Sequence, residues 1–323
     1  MPKLFDINSS KPVLWTRLYY RAKPLIPWRL RLALRRFHAR QIIRNYADTW
    51  PIQESACRKP ADWSGWPEGK QFSVVLTHDV ERKRGVDRVR ELAELEMRLG
   101  FRSSFNLVPE GEYSDSSELR EWLTSNGFEV GVHDLNHDGR LYESRPEFTR
   151  KAERINEHLK KWGAVGFRSG FMLRRLEWIE ELNIKYDAST FDTDPFEPQP
   201  DGVGQIFPFW HSGTNGRPGF VELPYTLAQD STLFLFLKES SIRIWQEKLD
   251  WIAQCGGMAL VIVHPDYLAF DGEPRGALTY PAALYAEFLS WLKQKYEGSY
   301  WHALPEEVAD FVRTPGQPQH LRG

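Results

Sequence analysis

Long apolar runs and cysteines are scarce in this chain, and both shortages exclude classes of protein. No apolar run of 18 residues occurs in the 323-residue sequence, so we expect no transmembrane helix. The amino terminus has no apolar stretch followed by a small-residue cleavage site, so we expect no secretory signal. Cys57 and Cys255 form neither a disulfide framework nor a CxxC metal motif, and we expect two reduced thiols in a cytoplasmic protein.

Charge is unevenly distributed along the chain. Residues 1–50 carry 11 lysines and arginines but only Asp6 and Asp48 as acids, a balance of +9. The rest of the chain has a balance of −11. An acidic body argues against nucleic acid as the main partner.

Strand and helix patterns alternate from residue 72 onward. Short apolar runs typical of buried strands lie at 72–76, 103–108, 128–132, 164–168, 185–189, 221–227 and 258–263. Helical patterns separate them, with a capping box at Ser144 and Glu147 and a stop signal at Gly100. About seven such units predict an α/β fold with a barrel of parallel strands, and an open doubly wound sheet is the alternative.

The same patterns suggest how the chain is divided. We expect a basic helical extension and irregular connector over residues 1–71, the barrel over 72–310, and a tail over 311–323. The long segment 190–220 is rich in proline and glycine. It is either a binding loop or an insertion that only packs.

Polar side chains directly follow several of the predicted strands. The carboxyl ends of parallel strands meet at one edge of the fold, where catalytic groups gather. The spacing of His133 and His137 places both imidazoles on one face of a helical turn. With the carboxylate of Asp79 they form a nitrogen and oxygen shell that suits zinc or a similar divalent ion. The polar residues that lie at or just after the ends of predicted strands are His78, Asp79, His133, His137, Arg168 and His264.

The order of these residues resembles the polysaccharide deacetylases of the nodulation-deacetylase homology type, carbohydrate esterase family four. The resemblance covers about residues 72–270. It rests on the segments LTHDVE, HDLNH, RSGF, YDAS and VIVHP, which are similar to the five family motifs in order. It implies a distorted (β/α)7-type barrel and a metal-dependent hydrolase that removes acetyl groups from an N- or O-acetylated sugar or glycan.

The resemblance also implies a metal centre. Asp79, His133 and His137 would be the ligands of one divalent ion, zinc first, with cobalt, nickel or manganese as alternatives. The fourth motif is matched only loosely, with Asp187 as its carboxylate.

Roles in catalysis follow from the same motifs. His264 would donate a proton to the leaving group, and the backbone N–H of Phe171 would hold the oxyanion. Arg168 would pair with the catalytic base.

His78 departs from the family, which has an aspartate base at that position. Three readings stay open. His78 is itself the base, since imidazole titrates near neutrality. Alternatively, His78 is a further metal ligand and either Glu81 or Asp138 takes the proton. In the third reading the site binds without catalysing.

Other functions and contacts also stay open. One alternative is an amidohydrolase acting on another non-peptide C–N bond, and another is a non-catalytic sugar-binding homologue. Aromatic side chains either line a sugar groove or simply pack in the barrel. They are Tyr142, Phe171, Trp210 and Tyr225.

The basic amino-terminal segment has two possible roles. Residues 28–46 read as a helix, and nine basic side chains within residues 17–44 favour contact with an anionic membrane on its inner face. The alternative is that an apolar stripe docks the helix on the acidic barrel. That stripe consists of Leu30, Leu34 and Phe37, with Ala33 beside them.

Overall fold

A computed structural model describes residues 28–61, 63–113, 116–214, 216–273 and 276–313. The first 27 residues and the end of the predicted tail, residues 314–323, therefore lie outside the described part of the chain. None of the described helices is long and apolar enough to cross a bilayer.

Strands and helices alternate along most of the chain, as the apolar patterns predict. The strands are β1 (Phe72–Val80), β2 (Ser104–Leu107), β3 (Glu129–His133), β4 (Gly166–Arg168), β5 (Tyr186–Asp187), β6 (Phe209–His211), β7 (Phe220–Glu222), β8 (Met258–Ile262), β9 (Leu268–Ala269), β10 (Tyr280–Pro281) and β11 (Tyr300–His302). The α-helices are α1 (Trp28–Asn45), α2 (Lys83–Val86), α3 (Val89–Leu99), α4 (Ser117–Ser125), α5 (Arg145–Trp162), α6 (Leu176–Ile179), α7 (Arg243–Cys255), α8 (Ala282–Tyr296) and α9 (Pro305–Val312). A π-helix, Ser231–Leu237, precedes α7.

The main sheet curls into a barrel. Strands β1 to β5 are neighbours in chain order and run parallel, β7 follows β5, and β8 pairs with the other side of β1. The backbone N–H groups of Thr226 and Leu227 donate to the carbonyl of Leu260, 3.0 and 3.1 Å away, and join the two ends of the sheet. The barrel prediction is confirmed, and the open-sheet alternative is wrong.

Strand β1 is buried at every position, so both of its faces pack against protein. Val74, Leu76 and Val80 belong to the cluster shared with the surrounding helices. Val75 belongs instead to the barrel interior, where it lies with Leu260. Because successive side chains of a strand point to opposite faces, the odd-numbered residues of β1 face inward.

Of two local signals in the sequence, the stop at Gly100 acts as predicted, and the capping box at Ser144 forms only its serine half, because the Glu147 carboxylate bonds to Arg150. The Ser144 hydroxyl accepts from the backbone N–H of Glu147, 3.4 Å away, and caps α5. Gly100 ends α3 in the left-handed conformation with φ 86°, which glycine adopts without steric cost. The predicted limit of the barrel at residue 310 falls inside α9.

Helix α1 packs on the barrel; of the predicted stripe only Phe37 has a described side chain, and the side chains of Leu30, Ala33 and Leu34 lie outside the described part of the structure. Ala39 and Ile42 are buried, whereas the Phe37 side chain is 65% exposed. Nε of Arg36 donates to the carbonyl of Leu235 in the π-helix, 3.0 Å away. The helix is therefore docked through a face rotated away from Phe37.

The two cysteines form a disulfide between Cys57 and Cys255. The prediction of two reduced thiols is therefore wrong, and the argument for a cytoplasmic location that rested on those thiols loses its support. The bond ties the connector before β1 to the last residue of α7 across 198 residues of chain. In the chain-entropy treatment, closing a loop of that length stabilises the fold by about 5 kcal/mol.

Candidate metal centre and catalytic groups

The carboxyl ends of three barrel strands bring polar side chains together at one rim. Asp79 lies in β1 and Glu81 directly after it. His133 ends β3, with His137 in the turn that follows, and His264 comes just after β8. The sequence prediction that these strand ends share one rim is confirmed.

Glu81, His133 and His137 form a compact group of possible metal ligands, which we call the ligand group. One ligand atom from each lies within 4.8 Å of the other two. Nδ1 of His133 lies 3.1 Å from the Arg168 carbonyl, which can only accept, so this nitrogen carries the proton. The other nitrogen, Nε2, is left with a lone pair for a ligand. Two imidazole nitrogens and one carboxylate oxygen suit zinc or a similar divalent ion.

The carboxylate in this group is Glu81 and not the predicted Asp79. Oε1 of Glu81 lies 3.4 Å from Nε2 of His137. Burial raises the pKa of Glu81, but the imidazoles of His137, His264 and His133 outweigh it and hold the pKa below its usual value. Glu81 is therefore an ionised carboxylate ready to accept a cation.

Asp79 is held instead by a buried arginine. Nη1 of Arg168 donates to Oδ1 of Asp79 and to Oγ1 of Thr77, both 2.9 Å away, and Asn106 donates to the same Asp79 oxygen from 3.0 Å. Burial raises the pKa of Asp79, but Arg168 together with two nearby imidazoles lowers it well below the usual range. Oδ2 of Asp79 faces Nε2 of His133 across 4.0 Å, beside the ligand group.

His264 is the second catalytic candidate, and Asp230 orients it. Nδ1 of His264 lies 2.6 Å from Oδ1 of Asp230, whose other oxygen accepts from the His264 backbone N–H and from the Tyr280 hydroxyl. Burial lowers the pKa of His264, but the Asp230 carboxylate raises it, and the net value is about 10. The imidazole is therefore charged at neutral pH, and its Nε2 lies 3.8 Å from Oε1 of Glu81.

The loop after Arg168 is shaped to fit the ligand group. A Cβ on Gly170 would lie 2.5 Å from an oxygen of Asp134 and 2.9 Å from Cδ2 of His137, so only glycine fits there. The Phe171 ring stacks on the His137 imidazole, with centroids 4.4 Å apart. Phe171 thus lies beside the ligand group. The role of its backbone N–H in holding an oxyanion stays a prediction.

His78 does not reach the rim, so the readings of His78 as base or ligand are wrong. Its side chain is fully buried on the outer face of β1, toward the helices. Nδ1 lies 2.9 Å from the Val263 carbonyl, and Nε2 lies 2.9 Å from Oε1 of Glu96 in α3. Since Asp79 faces inward, its strand neighbour must face outward.

Asp138 also points away from the ligand group. Its Oδ1 accepts from the backbone N–H of Arg140, 2.8 Å away, and faces Nζ of Lys151 in α5 across 3.4 Å. The carboxylate is 40% exposed. It is therefore turned toward α5, which does not favour the reading in which Asp138 takes the proton.

Two of the predicted groove aromatics are packed inside the fold. The Tyr142 ring stacks on Phe148, and its hydroxyl bonds to that of Ser169. Tyr225 is 1% exposed, and its hydroxyl is bonded to buried carboxyl groups. Trp210 keeps a partly exposed ring in the edge strand β6. Only Trp210 of these three offers surface to a ligand.

Asp187 is connected to the loop that follows Arg168 through hydrogen bonds. Its Oδ1 accepts from the Ser189 hydroxyl, 2.6 Å away. Oγ of Ser189 in turn accepts from the Ser169 backbone N–H, 2.8 Å away. Burial raises the pKa of Asp187. This carboxyl therefore braces the loop that follows Arg168.

The fold is shared with a solved structure of another protein. No family model and no curated protein matches the chain. A solved structure from Mycobacterium smegmatis, named as a polysaccharide deacetylase, aligns over 81% of this chain and 99% of its own with 18% identity and a TM-score of 0.58. A protein named for O-antigen biosynthesis in Bordetella bronchiseptica aligns over 78% of this chain and 89% of its own, with 18% identity and a TM-score of 0.43. The first likeness establishes that this chain shares the fold of that Mycobacterium smegmatis structure.

Proposed function

We propose that this chain is a metal-dependent hydrolase that removes acetyl groups from an N- or O-acetylated sugar or glycan. The observation that supports this most is the arrangement around the ligand group. An ionised carboxylate, Asp79, and a cationic imidazole, His264, both adjoin Glu81, His133 and His137. A base and an acid beside one metal group are what acyl transfer to water requires.

The ligand set fits a divalent ion, with zinc as our first choice and cobalt, nickel or manganese as alternatives. When bound, such an ion lowers the pKa of water and polarises a carbonyl group. Glu81, His133 and His137 would hold it. The hydrogen bond from His133 to the Arg168 carbonyl and the stacking of Phe171 on His137 fix the two imidazoles in orientation.

Asp79 takes the role of the base in this proposal. Arg168 keeps its carboxylate ionised and fixes its orientation, which leaves Oδ2 facing His133 and able to accept the proton of the attacking water. Because the same ion pair weakens Asp79 as a base, the bound ion would have to make that water more acidic. The family resemblance makes Arg168 the partner of the base, and Arg168 is bonded to Asp79. The hypothesis of a non-catalytic homologue rested on His78 standing where the family has an aspartate base. Asp79 would supply that carboxylate in this proposal, so the departure at His78 no longer argues against catalysis.

His264 supplies the proton that the leaving nitrogen or oxygen needs. Asp230 holds Nδ1 of the ring, so the proton on Nε2 faces the ligand group. The charge on the imidazole makes it a donor at neutral pH. Departure of an amine or alcohol as a neutral species then follows.

The test is metal content together with acetate release over a panel of acetylated mono- and oligosaccharides. We expect about one divalent ion per chain and acetate release that a chelator abolishes and added metal restores. Stoichiometric metal with no acetate from any substrate would contradict the proposal and favour a sugar-binding homologue. Turnover confined to amides that are not sugars would instead favour the amidohydrolase.

A further inference from the structure

Helix α1 presents a basic and apolar surface to solvent. Phe37, Arg40 and Arg44 are exposed and follow one another at spacings of three and four residues, on one face of the helix. Ala39 and Ile42 cover the barrel on the other face. In the described part of the chain, three large apolar side chains are exposed: Phe37, Tyr46 and Leu278.

The neighbouring loops extend this surface. Nη2 of Arg36 donates to the carbonyl of Ala277, 3.2 Å away, which brings exposed Leu278 beside the helix. Lys238, the residue after the π-helix, is exposed, and its pKa is lowered by burial and by Arg36. Glu239 is the acid that adjoins it, and it is half-buried. We call Phe37, Arg40, Arg44, Lys238 and Leu278 the α1 surface.

We propose that the α1 surface binds an anionic membrane. Guanidinium and ammonium groups meet lipid phosphates, while an exposed aromatic ring and a leucine enter the boundary between head groups and acyl chains. The chain after residue 50 has a balance of −11, so the excess positive charge lies in the part of the chain that contains α1. The uneven charge therefore favours contact through the part of the molecule that carries α1.

The position of the surface relates it to the catalytic groups. Arg36 binds the π-helix, which starts directly after Asp230, the partner of His264. Membrane contact therefore falls near the rim that carries the ligand group. If the proposed deacetylase function holds, this position suits an acetylated sugar carried on a lipid; membrane binding itself does not rest on that function.

The test uses the full chain and sedimentation with vesicles of phosphatidylcholine, with and without phosphatidylglycerol. We expect binding to the anionic vesicles only, weakened by added salt. Arg40→Gln with Arg44→Gln should weaken binding about 30-fold, since each charge contributes about 1 kcal/mol near the lipid. Phe37→Ser should weaken it as well.

The control is Arg98→Gln with Lys160→Gln, which removes two exposed cations from α3 and α5 and should leave vesicle binding unchanged. Equal binding by the Arg40/Arg44 variant and the unaltered chain would overturn the proposal. Binding to neutral vesicles, or displacement from anionic vesicles by a soluble anionic polysaccharide at low concentration, would also overturn it. None of these readouts depends on hydrolytic activity.

Discussion

A histidine and carboxylate cluster lies on each side of strand β1, and the two clusters differ in the hydrogen-bond partners of their polar atoms. On the outer face, both ring nitrogens of His78 have acceptors, and Glu96 also accepts from Ser103 and Tyr285 at 2.6 and 2.5 Å. On the inner face, ligand atoms of Glu81, His133 and His137 converge within 4.8 Å. A closed network stabilises the fold, whereas acceptor atoms that converge on one point suit a cation.

The comparison shows that residue type alone does not identify a site. Both clusters combine imidazole with carboxylate; the outer one is fully buried, and in the inner one His133 is buried while Glu81 and His137 are half-buried. Burial raises the pKa of Glu96, but His78 outweighs it, so this carboxylate is ionised like Glu81. What separates the clusters is direction, because the outer one faces the helices and the inner one faces the open rim.

The largest expected effect is the loss of metal when Glu81 is changed. Glu81→Gln should abolish stoichiometric metal binding and turnover, because an amide is a far weaker ligand than a carboxylate. Metal analysis after dialysis measures this directly. Asp138→Asn is the matched control, since it alters an exposed carboxylate outside the ligand group and should keep metal and activity. Full metal occupancy in Glu81→Gln would show that Glu81 is not a ligand.

Asp79→Asn should separate binding from catalysis. The variant should retain the metal, because Asp79 is bonded to Arg168 outside the ligand group, and lose turnover by about 10²–10⁴-fold, because the base is gone. Metal content and acetate release, measured on the same sample, check this. Loss of metal with Asp79→Asn but not with Glu81→Gln would restore the original sequence prediction.

The pH dependence should report the pairing of His264 with Asp230. Asp230→Asn removes the main cause of the raised pKa, so the alkaline limb of turnover should move down by about 1–3 pH units. Tyr280→Phe keeps the Asp230 charge and removes only a hydroxyl, so its limb should stay in place. If the alkaline limb of the pH–turnover profile of Asp230→Asn coincided with that of the unaltered chain, His264 would be excluded as the acid whose titration sets that limb.

The free energy of unfolding of the metal-free protein should also depend on the pairing of His264 with Asp230. The folded pKa of His264, about 10, lies above the usual 6.5, so the pair stabilises the fold fully below about pH 6.5. This contribution is lost as the pH rises through 10. Denaturant titrations across this range should show stability falling in the unaltered chain and a flatter profile in Asp230→Asn.

The smallest effect on turnover is expected at His78. His78→Ala should leave metal content and turnover per folded molecule within a factor of a few. It should still lower the free energy of unfolding by roughly 3–5 kcal/mol, because Glu96 keeps a buried charge without its partner. The double change His78→Phe with Glu96→Leu removes the buried carboxylate together with its imidazole partner and should recover much of that loss. Turnover falling about 100-fold or more in His78→Ala, with the metal retained, would return His78 to the catalytic machinery.

The sequence by itself determined the barrel and most of the rim. Apolar runs alternating with helical patterns predict parallel strands, and parallel strands place their carboxyl ends at one edge. His133, His137, Arg168 and His264 follow from that rule without any distance being known. The uneven charge of the two parts of the chain is likewise a property of the sequence alone.

Only the tertiary structure decided which carboxylate joins the ligand group, and the reason is the length of β1. The apolar run predicts a strand at 72–76, after which His78 and Asp79 would lie in a loop and could point anywhere. The strand continues to Val80, paired with β2, so Asp79 turns inward, His78 turns outward and Glu81 follows Asp79 to the rim. Asp230 lies 34 residues before His264, and Cys57 lies 198 residues before Cys255. Contacts at such separations leave no periodic signal in the sequence, because chain folding alone brings those residues together.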